Sequence, residues 1–223
     1  MEYKNTVRGR FIDRPNRFIA HVEVSGEQLV CHVKNTGRCR ELLVPGASVV
    51  ICAAENPARK TAWDLIAVEK AGRLINIDSQ APNVAAAAFL PSLFPGAEMH
   101  PEYKIGASRL DFFIKTGDGC VYLEVKGVTL EENDVVLFPD APTQRGVKHL
   151  QTLTRLAQEG HRACVLFVVQ MEGAAYFTPN RRTDPNFADA LVKAADAGVE
   201  LLAMDCHVTE NSMKINRSVE IRL

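Results

Sequence analysis

Apolar and polar residues alternate over short stretches of the first eighty positions. Phe18, Ala20, Val22 and Val24 lie two residues apart, the spacing that places side chains on one face of a β-strand. Turn residues 25–27 separate this stretch from the next apolar run. Further strands are predicted over residues 29–33, 49–52, 65–68 and 74–77. Five or six short strands in such a segment predict a small closed barrel, with the oligonucleotide-binding (OB) type as the leading interpretation.

The pattern changes after Gln80, where strands begin to alternate with helices. Asn83 is expected to cap a helix through residues 85–90 that ends near Pro91. Residues 116–119 carry a hairpin signal between two apolar strands. The remaining predicted elements are strands over 109–114, 121–128, 163–170, 200–207 and 213–223 and helices over 147–157 and 187–195. We therefore predict an OB-like domain over residues 1–80 and an α/β (α+β) domain with a mixed sheet over residues 81–223.

Composition and charge narrow the class of protein. The 223 residues are 47% hydrophobic and 24% charged, which is typical of a folded globular chain. No apolar run is long enough to span a bilayer, so we expect a cytoplasmic protein with no membrane partner. Residues 1–80 hold 12 Lys and Arg against 9 Asp and Glu, whereas residues 81–223 hold 14 against 18. This asymmetry suits a binding module joined to a metal site, although random scatter of surface charge explains it equally well.

Three charged residues are predicted to meet across the hairpin. Glu124 and Lys126 are two apart on one strand and so share a face of the sheet. If Gly117-Asp118 form the loop, Asp111 pairs with Glu124; if residues 118–119 form it, Asp111 pairs with Lys126. Both registers leave the three side chains on one face, whereas a three-residue loop would reverse Asp111.

Asp111 and Glu124 would repel each other at this separation unless a cation compensates. Hard oxygen ligands of this kind suit Mg²⁺ or Mn²⁺. Lys126 beside a metal-bound water could orient it or stabilise a developing negative charge on phosphate. A cross-strand salt-bridge ladder is the alternative interpretation. The strongly apolar flanks favour the catalytic one, because isolated carboxylates are costly in such a run.

A second set of residues is predicted to contact nucleic acid. Thr143 lies where a helix begins, and Arg145 and Lys148 fall in its first turns, an arrangement that can hold a phosphate. An amphipathic helix with a polar face explains the same pattern, and His149 is expected to be a solvated residue of that helix. The barrel also carries basic residues at Arg8 and Arg10, and its candidates for contact with nucleic acid are Arg14, Arg17, Arg38, Arg40, Arg59 and Lys60.

Six blocks of sequence, in order along nearly the whole chain, resemble the sugar fermentation stimulation protein A family. No single block would identify the family, but six in order do. The blocks are RPNRF (14–18), NTGRCRELLVPGA (35–47), RKTAWDL (59–65), SRLDFFI (108–114), EVKGVTL (124–130) and FPDAPTQRGVKHL (138–150).

The resemblance implies an N-terminal OB-like domain and a C-terminal domain similar to the PD-(D/E)xK nucleases. Asp111, Glu124 and Lys126 match the acid and acid-x-lysine positions of that superfamily, with the Val125 carbonyl as a further metal ligand. The superfamily often adds a glutamate from the preceding helix; none lies there, and Glu98 or Glu102 is a weak substitute. The expected function is Mg²⁺-dependent cleavage of DNA or RNA, and the alternative is a non-catalytic DNA-binding regulator of sugar-metabolism genes.

Overall fold

Alternately buried side chains of the N-terminal region build a closed barrel, shown here in a computed structural model that describes residues 1–35, 37, 39–54, 56 and 58–223. The strands are β1 (Thr6–Asn16), β2 (Ile19–Val24), β3 (Glu27–Val33), β4 (Ser48–Ala53), β5 (Trp63–Lys70) and β6 (Arg73–Asn76). β1 pairs with β2 and β4, β2 with β3, and β4 with β5. A parallel pairing of β3 with β5 closes the five-stranded ring. β6 pairs antiparallel with the second half of β5. The predicted OB barrel is confirmed.

β1 is the barrel strand that the apolar pattern does not predict. Arg8, Arg10 and Asp13 are exposed along it, and Phe11 is its one fully buried residue in the structure. Charged side chains on the outer face therefore mask the alternation, even though Phe11 belongs to the barrel core.

Three helices and two sheets follow the barrel. The helices are α1 (Ala81–Leu93), α2 (Gln144–Gln158) and α3 (Pro185–Asp196). The strands are β7 (Glu98–Ile105), β8 (Ser108–Thr116), β9 (Gly119–Val128), β10 (Leu130–Glu132), β11 (Val135–Phe138), β12 (Arg162–Val169), β13 (Tyr176–Pro179), β14 (Glu200–Val208), β15 (Met213–Ser218) and β16 (Glu220–Ile221). The main sheet has the order β15-β14-β12-β9-β8-β7, and β10, β11, β13 and β16 form a smaller one.

The main sheet is mixed, as the sequence predicts, and the structure shows helices on both of its faces. β12 pairs in parallel with β9 and β14, while the outer pairs are antiparallel. Along β12, Val165 and Phe167 pack in the core that contains α2 and α3, whereas Cys164 and Leu166 pack in the core that contains α1. A strand buried on both faces is apolar at every position, which explains the continuous apolar run.

Two predicted boundaries are wrong. α1 starts at Ala81 with Pro82 in its first turn, so Asn83 lies inside the helix and does not cap it. The predicted last strand over 213–223 is two strands, because the chain leaves the main sheet after β15 and β16 joins the smaller sheet. The start of α2 is as predicted: the Thr143 hydroxyl accepts a hydrogen bond from the Gly146 N–H at 3.0 Å.

A buried amide joins the barrel to the main sheet. Gln170, which directly follows β12, is 2% exposed. Its side-chain Nε2 donates to the backbone carbonyl of Asn76 at 3.0 Å and to that of Asp78 at 3.1 Å. The backbone carbonyl of Gln170 accepts from the Asn76 N–H at 2.9 Å. The end of β6 is therefore fixed to the centre of the sheet. Within the described part of the chain, no helix is long and apolar enough to cross a membrane.

Gln170→Ala is expected to destabilise the protein by about 1–3 kcal/mol, because the buried carbonyl of Asn76 loses the Gln170 donor and that of Asp78 keeps only the Ala81 N–H. Urea unfolding followed by circular dichroism measures this change. The exposed Gln151 provides a control, since Gln151→Ala should leave the unfolding midpoint nearly unchanged. Equal midpoints for the two variants would show that the hydrogen bonds of Gln170 contribute little to the stability of the protein.

Candidate metal and catalytic site

The β8–β9 hairpin takes the first of the two predicted registers. Thr116 pairs with Gly119 and Phe112 pairs with Leu123, so Gly117-Asp118 form the loop. The described pairing ends at Phe112 and Leu123, and Asp111 and Glu124 are the next residues along the two strands.

Asp111 is half-buried and is held by two hydrogen bonds. Its Oδ2 accepts from the backbone N–H of Val125 at 2.8 Å, and its Oδ1 accepts from the Asn83 amide at 2.8 Å. The helix that precedes the hairpin therefore supplies a neutral amide to this carboxylate. Glu98 and Glu102 lie on the edge strand β7 and pair with Lys115 and Arg109.

Glu124 is the most deeply buried charge of the cluster, with 2% of its surface exposed. Its Oε1 accepts from the Lys126 ammonium and from Nδ1 of His149. Because an ionised carboxylate only accepts hydrogen bonds, the His149 Nδ1 carries the proton in this pair. The other oxygen, Oε2, is buried and has no hydrogen-bond partner in the structure as described.

His149 is 4% exposed, so its expected position in solvent is wrong. It lies on the buried face of α2, three residues after Gly146 and four before Leu153, both of which are also buried. That spacing could have identified the position, because a histidine in register with the apolar face of a helix needs a polar partner in the interior.

The pKa values of Asp111 and Glu124 are shifted in opposite directions. Burial raises the pKa of Asp111 above its ordinary range, and the charge of Glu124 raises it further, against the Val125 N–H, Lys126 and Asn83. Burial also acts to raise the pKa of Glu124, but the hydrogen bonds and charges of His149 and Lys126 outweigh it and hold that pKa below its ordinary range. Glu124 therefore stays ionised, while the charge of Asp111 lacks compensation.

This donor set fits a hard divalent cation. A cation would compensate the charge of Asp111 and would give the unpartnered Oε2 of Glu124 a partner. Across the residues described here, no three or more His, Cys, Asp or Glu side chains are grouped to hold a metal. A cation at this place would thus have two carboxylate ligands, with the rest from backbone oxygen or water, a coordination common for Mg²⁺.

The predicted nucleic-acid contacts fall into separate places. Arg14, Arg17 and Arg40 line one cleft of the barrel. Arg59 is held by Asp64, with nitrogen–oxygen distances of 2.8 and 3.1 Å, and Lys60 is exposed. On α2, Thr143 caps the helix, Arg145 is exposed, and Lys148 donates to the Ala107 carbonyl at 3.0 Å. Arg38 lies outside the described residues.

The fold and the site define a two-part protein, an OB barrel followed by a mixed-sheet α/β domain with a buried acidic pair. The family model of the SfsA N-terminal OB domain matches residues 12–77, and that of the sugar fermentation stimulation protein RE domain matches residues 80–212. The chain belongs to the sugar fermentation stimulation protein family.

Relatives and a solved structure agree with this assignment. The chain is 50% identical over 226 residues to a sugar fermentation stimulation protein homolog of Ruminiclostridium cellulolyticum, with 100% of both chains covered. It is 49% identical to a homolog of Desulfitobacterium hafniense strain Y51, covering 100% of this chain and 99% of that one. The structure of Pyrococcus furiosus SfsA in complex with Ca²⁺ is 28% identical, with a TM-score of 0.88 and coverage of 100% and 98%.

In metal-free buffer, Asp111→Asn is expected to raise Tm by about 2–4 °C, the shift that roughly 1 kcal/mol gives in a chain of this length. The folded protein holds the Asp111 proton more tightly than the unfolded chain does. Ionisation therefore costs folding free energy above the ordinary range of an aspartate, and the neutral amide removes that cost. The stabilities of wild type and variant should converge as the pH falls to the ordinary pKa of an aspartate, 3.8, and below it.

Thermal unfolding with added Mn²⁺ is the paired measurement. Wild type should gain stability in proportion to the free metal, and Asp111→Asn should gain little. A variant that is less stable than wild type in EDTA would mean that Asp111 serves as a structural acceptor and not as a metal ligand.

His149→Leu is expected to weaken Mn²⁺ binding by about 10–100-fold, because Glu124 loses one of the donors that fix its orientation. His149→Asn keeps an amide donor near the position of Nδ1 and should retain most of the affinity. Calorimetric titration of the two folded variants with Mn²⁺ measures the difference. Equal affinities would show that His149 does not orient Glu124.

Proposed function

We propose that this protein is a divalent-metal-dependent nuclease whose catalytic residues are Asp111, Glu124 and Lys126. The observation that carries the proposal is the buried, unpartnered Oε2 of Glu124, which lies next to a second carboxylate with a raised pKa. A purely structural salt bridge would satisfy both oxygens and would not place a second acid beside them. The Ca²⁺ complex of the Pyrococcus furiosus relative supports a divalent site in this family.

Asp111, Glu124 and the Val125 carbonyl would hold Mg²⁺ or Mn²⁺. The bound metal would supply a Lewis acid for a phosphate oxygen and a water molecule of lowered pKa. Asn83 fixes one oxygen of Asp111 and His149 fixes one oxygen of Glu124, so both carboxylates are oriented before any ligand arrives. Such orientation avoids reorganisation during the reaction.

Lys126 supplies positive charge at the place where negative charge develops. Hydrolysis adds a water oxygen to phosphorus, breaks the phosphorus–oxygen bond to the leaving sugar oxygen and moves the proton of the water to that oxygen. The Lys126 side chain is 12% exposed and its ammonium contacts Glu124. Its charge therefore lies beside the reacting phosphate in a poorly solvated place, where electrostatic stabilisation is stronger than in water.

Basic residues on two elements would hold the nucleic acid. We assign binding to Arg14, Arg17, Arg38 and Arg40 of the barrel and to Arg145 and Lys148 near the start of α2, where Thr143 caps the helix. Arg59 and Lys60 complete the proposed set, although Arg59 would have to share its charge with Asp64. The substrate is DNA or RNA, and we place the activity in the cytoplasm.

Lys126→Ala is expected to reduce the single-turnover cleavage rate by about 10²-fold or more, as loss of one preorganised electrostatic group does. Binding of nucleic acid should stay close to wild type, and the rates are compared at saturating metal because Lys126 is also a donor to Glu124. Labelled single- and double-stranded DNA and RNA, incubated with Mg²⁺ or Mn²⁺, provide the assay. Lys115 of the same hairpin is the matched control: its side chain is 53% exposed, and Lys115→Ala should cleave at the wild-type rate.

Asp111→Asn should also abolish cleavage, but through weaker metal binding, so excess Mn²⁺ should partly restore it and should not restore Lys126→Ala. Equal rates for wild type and Lys126→Ala would mean that the catalytic site is misassigned. Tight binding by wild type without cleavage of any substrate would instead support the DNA-binding regulator.

A further inference from the structure

Three arginines of the barrel meet at a cleft that is separate from the acidic pair. Arg14, Arg17 and Arg40 line a cavity of about 550 Å³. This volume lies within the range of about 300–1,000 Å³ in which small ligands bind. The cleft is thus large enough for one unit of a polymer and is not only a charged surface.

The walls of the cleft come from both parts of the protein and are apolar in part, with Asp13 and Asn16 also among the lining residues. Phe11 and Leu43 are buried in the barrel core and line one side. Ala141 reaches it from the segment that leads into α2. The Asp140 carboxylate lies close to Gly37, so a Cβ at that position would require the carboxylate to move. The barrel and the segment before α2 are therefore in contact at this cleft.

The three arginines are presented in different ways. Arg14 is anchored, since its guanidinium donates to the carbonyls of Gly37 at 2.9 Å and Asn35 at 2.8 Å. Arg17 and Arg40 are exposed at the opening. Cations beside a partly apolar cavity match a ligand that is anionic and partly apolar.

We propose that this cleft binds one nucleotide of a single-stranded nucleic acid, with its phosphate at the arginines and its base against the apolar wall. The proposal rests on the proposed function only in taking nucleic acid as the substrate. A duplex keeps its bases stacked inside and presents phosphates, so it could contact the arginines but would leave the cavity itself unfilled. Single strands expose bases that stack on aromatic and apolar surfaces, which is the common mode of OB folds.

Binding of a fluorescent oligothymidylate of about 12 nucleotides, within the site sizes of OB folds, tests the cleft. Anisotropy is measured in EDTA, so that cleavage does not contribute. Arg17→Ala combined with Arg40→Ala should weaken single-strand binding about 10-fold or more and reduce the salt slope by roughly 0.7 per lost phosphate contact. Arg10→Ala is the matched control, because Arg10 is an exposed arginine of the same barrel outside the cleft.

Ala141→Leu tests the cavity without changing any charge. It should weaken binding of the single strand and leave binding of the same sequence as a duplex unchanged. Circular dichroism shows whether this variant folds. If it does not, the two-arginine variant tests the proposal, because it should lose more affinity for the single strand than for the duplex. Thymidine monophosphate should compete much less well than the oligonucleotide.

Four results would overturn the proposal. They are tighter binding of duplex than of single strand by wild type, equal losses in the two-arginine variant and Arg10→Ala, unchanged single-strand binding in a folded Ala141→Leu, and equal competition by the mononucleotide. Cleavage is tested separately. A protein that cleaves while the cleft variants bind normally refutes the cleft alone; one that binds single strands through the cleft without cleaving refutes the nuclease alone.

Discussion

The carboxylate of Glu124 is a charge placed inside the main sheet, and several elements are arranged around it. β9 lies between β8 and β12, so a side chain from its middle has little access to water. A buried carboxylate without partners costs several kcal/mol. Lys126 reaches it along the same strand and His149 reaches it from α2, so the ionised form persists.

The same constraint fixes the register of the hairpin. A slip by one residue would turn Glu124 and Lys126 towards the apolar core of α1, where no partner for their charges is described. It would also separate Asp111 from the Val125 N–H. The loop Gly117-Asp118 and the charge cluster therefore require each other: the turn sets the register, and the cluster makes the alternative register unfavourable.

Much of this architecture could be predicted from the chain alone. The OB barrel and the mixed sheet follow from alternating apolar positions, and the start of α2 follows from the capping preference of Thr143. These features depend on neighbours in sequence or on burial of one face, which a local pattern records. The boundary between residues 80 and 81 stays a prediction, as do the roles of the site residues.

The missed features depend on partners far along the chain. Asn83 resembles a helix cap in sequence, and only the folded arrangement brings its amide to Asp111, 28 residues later. His149 resembles a solvated polar residue of the helix in sequence, and only the folded structure brings its Nδ1 to the Glu124 carboxylate. Arg59 resembles a free cation but is paired with the buried Asp64. The apolar pattern does not predict β1, because the outer face of that strand carries charged residues.

α2 connects the two proposed sites, and its position gives a reason for joining the two domains. Ala141 lines the cleft just before the helix, and His149 holds Glu124 in its second turn. Eight residues separate them, a path of roughly 15–20 Å for a short extended segment followed by helix. Gln170 joins the barrel to the sheet, and Asp140 of this segment lies against Gly37 of the barrel. A strand held in the cleft would thus lie at a set distance from the carboxylates, so the barrel would determine which phosphate reaches them. Loss of binding at the cleft should then alter where a strand is cut, whereas loss of Lys126 should alter only how fast.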